Sequence, residues 1–503
     1  MTQYSIEMAQ IDDDQIPLLF QTKKDEIEEG REVDHVIEIK ETNDPLGSRT
    51  KKFVNQIFEM FKDLDNSSIK SSTIFRVNVW LRESNPDAYR PKMVSIGPYH
   101  KRHPLLGPME KYKLLYLRRF LKRKGGLDME SCINQLEKLK EKAIKRYDDI
   151  EDVDTDEFCK MLLLDGCFVV EFIRERCGIY QGGIIININP GYILQDLLLL
   201  ENQLPFFVLK HLHRITKQDD ELPLTILANN SFTFLVDLPK MTVASFRKTE
   251  CNAVYIKHLL HLVHIFSCHV NDPMTSNSSS SPTGGNSPTV RGPTGSGSPT
   301  GSGSPTGSSY PTGGSAAITR NKVMPNATEL SEAGVRFAKV NHTTSLFDIK
   351  FENGLMTIPC FQVEDGTETI LRNLIAYEQQ SFDVQQKYFS DFATFMDYLI
   401  DSEKDVNLLR QKGIIEHWLG DDTQVASLFN KIAYGVGVHS NFYYNEECIK
   451  AVEHCKKPWN RMKANLRHNY FNSPWAGAST VAAIILLLLT AAQTVLSFIS
   501  VIR

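Results

Sequence analysis

Hydrophobic and polar positions divide the chain into stretches of helical period separated by short alternating runs. From Lys51 to Asn66, the residues Phe53, Ile57, Met60, Phe61 and Leu64 recur at helical spacing and predict a first helix. Phe75-Arg76-Val77-Asn78-Val79 alternates as a strand would. Turns follow at Asn85-Pro86 and Arg90-Pro91, and Gly97-Pro98 stops the short apolar piece Val94-Ser95-Ile96. Helices are predicted over 109–124, ended by Gly125-Gly126, and over 132–147. Two strongly apolar segments, 158–173 and 193–212, are too short or too interrupted to span a membrane and read as the buried heart of a soluble body. A further helix covers 252–268.

Later in the chain, Asn326-Ala327-Thr328-Glu329 has the form of a capping box ahead of Leu330 to Phe337. Phe347 to Phe351 alternates, Glu352-Asn353-Gly354-Leu355 offers a hairpin turn, and Met356-Thr357-Ile358 completes a two-stranded ribbon. Helical patterns then cover 368–379, 383–400, 403–412 closed by Gly413, 423–435, and a basic stretch over 445–469. The fold class is mainly α: one helical globular body with a few short strands, plus one C-terminal transmembrane helix.

That last element is the strongest signal in the pattern. No charge falls between Val481 and Ile502. At 1.5 Å per residue such a run reaches about 33 Å, against a hydrocarbon core of about 30 Å. Trp475 stands where an interfacial aromatic would, and Lys456, Lys457, Arg461, Lys463 and Arg467 precede the helix whereas only Arg503 follows it. The positive-inside rule then puts the body in the cytosol on a C-terminal anchor, with insertion following synthesis as in a tail-anchored protein. The alternative, a luminal or extracellular body, exposes sequons at Asn66, Asn229, Asn277, Asn326 and Asn341. Helix length is compatible with plasma membrane and endomembrane alike. The bilayer is thus the first expected partner.

Composition marks two segments that cannot join a core. Residues 1–50 form an acidic tail expected to be disordered, and residues 272–319 are so rich in Ser, Pro, Thr and Gly that they cannot bury enough apolar area to offset chain entropy. Ser-Pro pairs at Ser281, Ser287, Ser298 and Ser304 are sites of the kind proline-directed kinases modify. The first twenty residues hold Asp12, Asp13 and Asp14 and no basic run before Ile16 to Phe20, unlike a secretory signal. With a net charge of −5, the chain lacks the basic excess of a nucleic-acid binder, so no nucleic-acid partner is expected. Nine scattered cysteines without a C-x-x-C suit a reducing compartment.

Several runs of residues resemble a plant family. Phe75-Arg76-Val77, Leu81-Arg82 and Asn85-Pro86-Asp87-Ala88-Tyr89-Arg90-Pro91-Lys92-Met93-Val94-Ser95-Ile96-Gly97-Pro98-Tyr99-His100 are similar to the opening signature of the family called domain of unknown function 247. Further matches are Leu164-Asp165-Gly166-Cys167-Phe168, the run Leu199-Leu200-Glu201-Asn202-Gln203-Leu204-Pro205-Phe206-Phe207, and Ala327-Thr328-Glu329-Leu330. The chain departs from the family at Asn78, where proline is usual, and at Lys101-Arg102, where His-Gly is common. Similarity extends over residues 70–502, so the segment 272–319 reads as an insertion between two parts of one body, 51–271 and 320–474, with the membrane helix at 476–502. The resemblance implies a plant membrane protein without an assigned enzyme activity. It also brings from some grass members a role in pollen self/non-self recognition.

Chemistry is sparse. Walker, dinucleotide, G-x-S-x-G and H-E-x-x-H motifs are absent from the sequence. His258, His261, His264 and Cys268, with His269, fall within about 140° on an ideal helix, opposite Leu259, Leu260, Val263 and Phe266. Imidazole and thiolate on one face are zinc or copper ligands, but no carboxylate supports them locally, and the plain expectation is a solvated face with no cofactor. The acids within apolar runs, Asp165, Glu171, Asp196 and Glu201, are candidates for general acid/base work. The stronger expectation is that Arg76 and Arg82, with Arg90, Lys113 and Arg174 also available, pair with them to fix the core. On the membrane helix, Ser479, Ala483, Thr490, Gln493, Thr494, Ser497 and Ser500 share one stripe suited to helix association, with a homo-oligomer as one outcome. The function expected is therefore a non-enzymatic, single-pass membrane protein that recognises or signals through an as yet unknown protein partner. A hydrolase using the buried acids or a metal, and a purely structural membrane scaffold, are the alternatives.

Overall fold

The computed structural model describes residues 45–66, 72–123, 126–150, 153–179, 189–233, 235, 255–268, 324–340, 345–437, 441–470 and 474–502. The chain falls into two units, Met1–Ser67 and Ser68–Arg503. In the first, α1 (Pro45–Asn66) starts ahead of the expected Lys51, with Pro45 in the first turn where its missing N–H costs nothing. The acidic tail before it and the Ser/Pro/Thr/Gly-rich insertion lie outside the described residues.

The second unit opens with a correction. Residues 75–79 form no strand: Ile74 makes a lone bridge with Tyr147, and the Val77 and Asn78 N–H groups go to side chains, Glu201 Oε1 at 2.7 Å and Gln380 Oε1 at 3.0 Å. Asn78 then caps α2 (Val79–Arg82) by accepting the Leu81 N–H, a role proline could not take with its side chain. The helices α3 (Glu110–Leu121), α4 (Met129–Ile144) and α5 (Thr155–Arg176) follow, the last two capped by Asp128 and Asp154.

Helix α5 is apolar nearly all round because it lies at the centre, packed by α3, α4, α7 (Phe206–Thr216) and α8 (Leu224–Phe232). At Gly166 α7 comes close: a Cβ there would collide with Leu212. The expected apolar segment 193–212 is two helices, α6 (Pro190–Asp196) and α7, separated by turns. Side chains of those turns satisfy their own backbone, Gln203 Nε2 donating to the carbonyls of Leu197 at 2.8 Å and Leu199 at 2.7 Å. The next helix, α9 (Leu259–Cys268), ends the described part of the N-terminal portion.

Beyond the insertion, Asn326 and Glu329 form the expected capping box on α10 (Ala327–Glu332). Gly334, at φ +93°, ends that helix before Phe337 and turns the chain into β1 (Arg336–Val340). The hairpin forms, but its first strand is shorter than the alternation over 347–351 predicts, because Phe347 lies in a turn and the strand begins only at Lys350. There β2 (Lys350–Glu352) and β3 (Leu355–Pro359) pair antiparallel across Asn353 and Gly354, both at positive φ, and β1 adds parallel to β3. A second pair, β4 (Phe361–Val363) parallel to β5 (Ile415–His417), has only three residues a side, too few for alternation to be visible in sequence.

Helices α11 (Thr367–Gln380), α12 (Tyr388–Leu399), α13 (Glu403–Gln411) and α14 (Asp422–Ile432) lie close to expectation. The basic stretch is α15 (Asn445–Lys456) and α16 (Pro458–Tyr470), split because a residue before proline is driven out of helical conformation, here Lys457 at ψ 132°. A single core runs from Ile74 to Ala451, so both sides of the insertion share it. The last helix, α17 (Pro474–Ile502), contains the apolar stretch Ala478–Ser497, none of it buried. Among the described residues it alone is long and apolar enough to cross a membrane.

Candidate functional site

The acids of the apolar runs are all buried, and each has a partner. Glu201 receives Arg82, the Val77 N–H and His100 Nε2 at 3.3 Å. Burial pushes its carboxyl up, but the bonds from His100, Val77 and Arg82 outweigh that and hold it below the usual range. Asp165 accepts Lys113 Nζ and the Gly97 N–H at 2.6 and 2.9 Å, and burial of the ammonium is more than offset by Asp165, so Lys113 stays charged. The expected Arg82 pairing is therefore present, while Asp165 takes a lysine instead.

Arg76 is a correction. It stands at the surface, 3.7 Å from Asp149 and 4.6 Å from the centre of the Tyr99 ring, and reaches no buried acid. Arg90 likewise stays outside beside Asp87. Among the described residues Asp196 pairs with no cation: its oxygens accept the backbone N–H groups of Lys92, Met93 and Val94 at 2.6–3.0 Å. Burial still outweighs those bonds and pushes its carboxyl up to about 6.

Glu171 belongs to a larger network that sequence did not reveal. It binds Arg123 and Arg174, each at 2.8 Å, and Arg174 continues to Glu221 at 2.6 Å, which also meets His213 at 3.0 Å. Burial raises Glu221, but His213, Arg174 and the Gln218 N–H bring it down to about 2. A cavity of about 600 Å³ opens beside it, lined by Cys177, Gln218, Glu221, Leu227 and Asn230 among others. Of its lining groups, Glu221 is held well below the usual carboxylate range, and burial pushes the Cys177 thiol up while it bonds the Leu227 carbonyl.

The imidazole face of α9 is not solvated. His258 is fully buried and His264 nearly so, and the rings of His258, His261 and His264 surround Tyr377 of α11 at 5.3–5.4 Å between centres. Burial pulls His258 well below its ordinary value and His261 to about 3, so both are neutral and do not form a protonation-sensitive surface near neutrality. The carboxylate missing from the local sequence arrives from α11: Glu378 Oε1 lies 2.9 Å from His264 Nε2, and Cys268 Sγ lies 3.8 Å from that same nitrogen.

Cysteine, histidine and glutamate look like a nucleophilic triad, but a relay needs the two ring nitrogens on opposite partners, and here both partners meet Nε2. Burial also pushes the Cys268 thiol well up, with Glu378 adding to the effect. Glu378 left one signal: with Leu371, Leu374 and Ile375 it sits on the apolar stripe of its helix, at i+7 from Leu371, where a carboxylate has to find partners.

On α17, the Thr490 and Thr494 hydroxyls donate to the carbonyls one turn back, Leu486 and Thr490, at 2.7 Å each. They share the exposed stripe with Ser479, Ala483, Gln493 and Ser497, whereas the side chain of Ser500 lies outside the described residues.

Comparison with known proteins gives a family and close-to-full-length relatives. Residues 74–489 match the family model DUF247, described as a plant protein of unknown function. The UPF0481 protein At3g47200 of Arabidopsis thaliana is 28% identical over 454 residues, covering 87% of this chain and 88% of the relative. The Putative UPF0481 protein At3g02645 of the same plant is 24% identical over 503 residues, covering 88% and 94%. No solved structure matches.

Proposed function

Because the chain belongs to the plant family DUF247, whose function is unknown, we propose a function from its own residues: a non-enzymatic membrane protein that recognises a protein partner. Helix α17 holds it in the bilayer as a single pass, with the body on the cytosolic side as the flanking basic residues favour. Self/non-self recognition in pollen, the role brought by grass relatives, is the specific form this reading takes. The observation that carries it is the engagement of the acids: Asp165, Glu171, Asp196 and Glu201 each have at least one oxygen bound by a cation or a backbone N–H group inside the core. A general acid or base needs a proton path to substrate, and these carboxylates instead fix the segments around them.

The exterior supports the same reading. Val79 and Trp80 of α2 are two-thirds or more exposed, and the exposed Tyr434 directly precedes Gly435, which packs against the Trp80 carbonyl. Large apolar side chains gathered at one place on a surface suit partner contact. The test is a photo-reactive residue at Trp80 in the full chain, expressed in plant membranes. A discrete protein adduct is expected. Absence of any adduct favours a structural scaffold, and turnover of an ester or glycoside library that Asp165→Asn removes favours a hydrolase. Protease protection of sealed vesicles checks the cytosolic placement.

A further inference from the structure

We propose that His264, Cys268 and Glu378 form a binding site for one divalent ion of the zinc class, tying α9 to α11. One ligand atom from each lies within 4.8 Å of the others. His264 Nε2 is 2.9 Å from Glu378 Oε1 and 3.8 Å from Cys268 Sγ. Zinc bonds of about 2.0–2.3 Å in tetrahedral array hold nitrogen, oxygen and sulfur ligands roughly 3.3–3.6 Å apart. The two separations to His264 Nε2 therefore change by about half an ångström or less, and the Cys268–Glu378 separation, within 4.8 Å, closes by up to about an ångström on coordination. The sharing of Nε2, which denies a triad, is what coordination requires: the thiol and the carboxylate converge on the lone-pair side of one nitrogen.

The surroundings fit an ion as well. His264 and Cys268 are one turn apart on α9 and so share a face. Glu378 is oriented by the N-terminal end of α12, its Oε1 accepting the Phe389 N–H at 3.0 Å and its Oε2 accepting the Ser390 N–H and hydroxyl, both at 2.8 Å. Such outer bonds fix a ligating carboxylate. The His264 ring packs against Tyr377 and Phe389, an apolar wall that keeps water from all but the Cys268 side, where the thiol is half-buried. A thiolate and a carboxylate together neutralise a 2+ ion, the favourable charge sum for a low-dielectric place. One nitrogen, one sulfur and one oxygen select zinc or cobalt over magnesium or calcium, leaving a fourth position to water.

Binding releases the Cys268 thiol proton to solvent; the imidazole proton that Nε2 donates to Glu378 Oε1 is given up to solvent while Nδ1 takes one from it, which frees the Nε2 lone pair for the ion, and no electrons move. The α9 helix is the last described element before the insertion and α11 lies well beyond it, so the ion would clasp the two portions of the body. This proposal stands apart from the recognition reading and survives its failure.

The test titrates reduced, detergent-solubilised full-length protein with Co²⁺ alone. One equivalent should bind with a thiolate-to-cobalt charge-transfer absorption, displaced by Zn²⁺. In Cys268→Ser, that absorption should vanish and Co²⁺ affinity should fall at least tenfold while circular dichroism is unchanged. Folded native protein that shows no charge-transfer absorption in Co²⁺ excess overturns the proposal without any variant. Absorption that persists in Cys268→Ser overturns it too, because another cysteine would then be the ligand.

Discussion

Asn373 reaches across 173 residues of sequence to accept the backbone N–H of Leu200 at 2.9 Å. Its amide nitrogen donates to the Ala88 carbonyl at 2.8 Å, so one fully buried side chain on α11 satisfies two loops of the N-terminal portion. Both groups are cut off from water. Asn373→Ala leaves them without these partners, at about 1–3 kcal/mol for each buried polar group stranded. The expected loss is about 3 kcal/mol, seen as a lower denaturant midpoint at unchanged slope. A midpoint within error of the native value would show that the loops find other partners.

Arg82 and Glu201 allow a sharper test of how the core tolerates charge. Glu201 is 1% exposed and Arg82 is 27% exposed, so water reaches only the cation. Removing a partner from a fully buried pair costs about 3–5 kcal/mol, and partial exposure of Arg82 together with the second contact from His100 lowers that. Arg82→Met should therefore cost about 2 kcal/mol at neutral pH. Adding Glu201→Gln should recover part of it, since the stranded charge is gone. A double variant less stable than Arg82→Met alone would mean that the carboxylate is held chiefly by His100 and the Val77 N–H.

Much of this was legible in the sequence where chemistry is local. The capping box at Asn326 and Glu329 and the Asn353-Gly354 turn depend on residues a few positions apart, and both formed as read. The Arg82–Glu201 pair was legible for another reason: an acid inside an apolar run must be matched. That rule says a partner exists without saying which, so Asp165 took Lys113, Glu171 took Arg123 as well as Arg174, and Asp196 took three backbone N–H groups. The imidazole face failed for a deeper reason. Periodicity shows which side of a helix is polar, not what covers it, and α9 is covered by α8 and by α11. Glu378, the residue that completes that cluster, is more than a hundred positions from it in sequence.

Asp196 predicts a pH dependence of definite sign. Burial holds its carboxyl at about 6, against 3.8 for an unperturbed aspartate. The folded chain therefore binds this proton more readily than the unfolded chain. The associated stability is full below about pH 4 and is lost as pH rises through about 6. The difference between 3.8 and about 6 corresponds to about 3 kcal/mol. Because Asp196→Asn cannot titrate, the stability of native protein minus that of the variant should fall by about that amount between pH 4 and 7. A difference that grows with pH would mean that the N–H groups of Lys92, Met93 and Val94 outweigh burial and favour the carboxylate.

Helix α17, long and apolar enough to cross a membrane, yields the last prediction. Thr490 and Thr494 bond back to their own carbonyls, so their hydroxyls need no neighbour. Gln493 lies between them on the exposed stripe, and its longer amide has no such short route home. An amide in hydrocarbon gains by meeting another, at about 1 kcal/mol for an interhelical hydrogen bond, or roughly fivefold in association. If copies of this chain associate through the stripe, Gln493→Leu should shift cross-linked dimer to monomer in lipid vesicles, while Thr490→Val should leave the ratio unchanged. Equal dimer fractions for native protein and Gln493→Leu would assign the amide to lipid headgroups or to a different protein. Loss of dimer in Thr490→Val alone would instead make the Thr490 hydroxyl the driving contact, since valine matches threonine in shape and removes only that group.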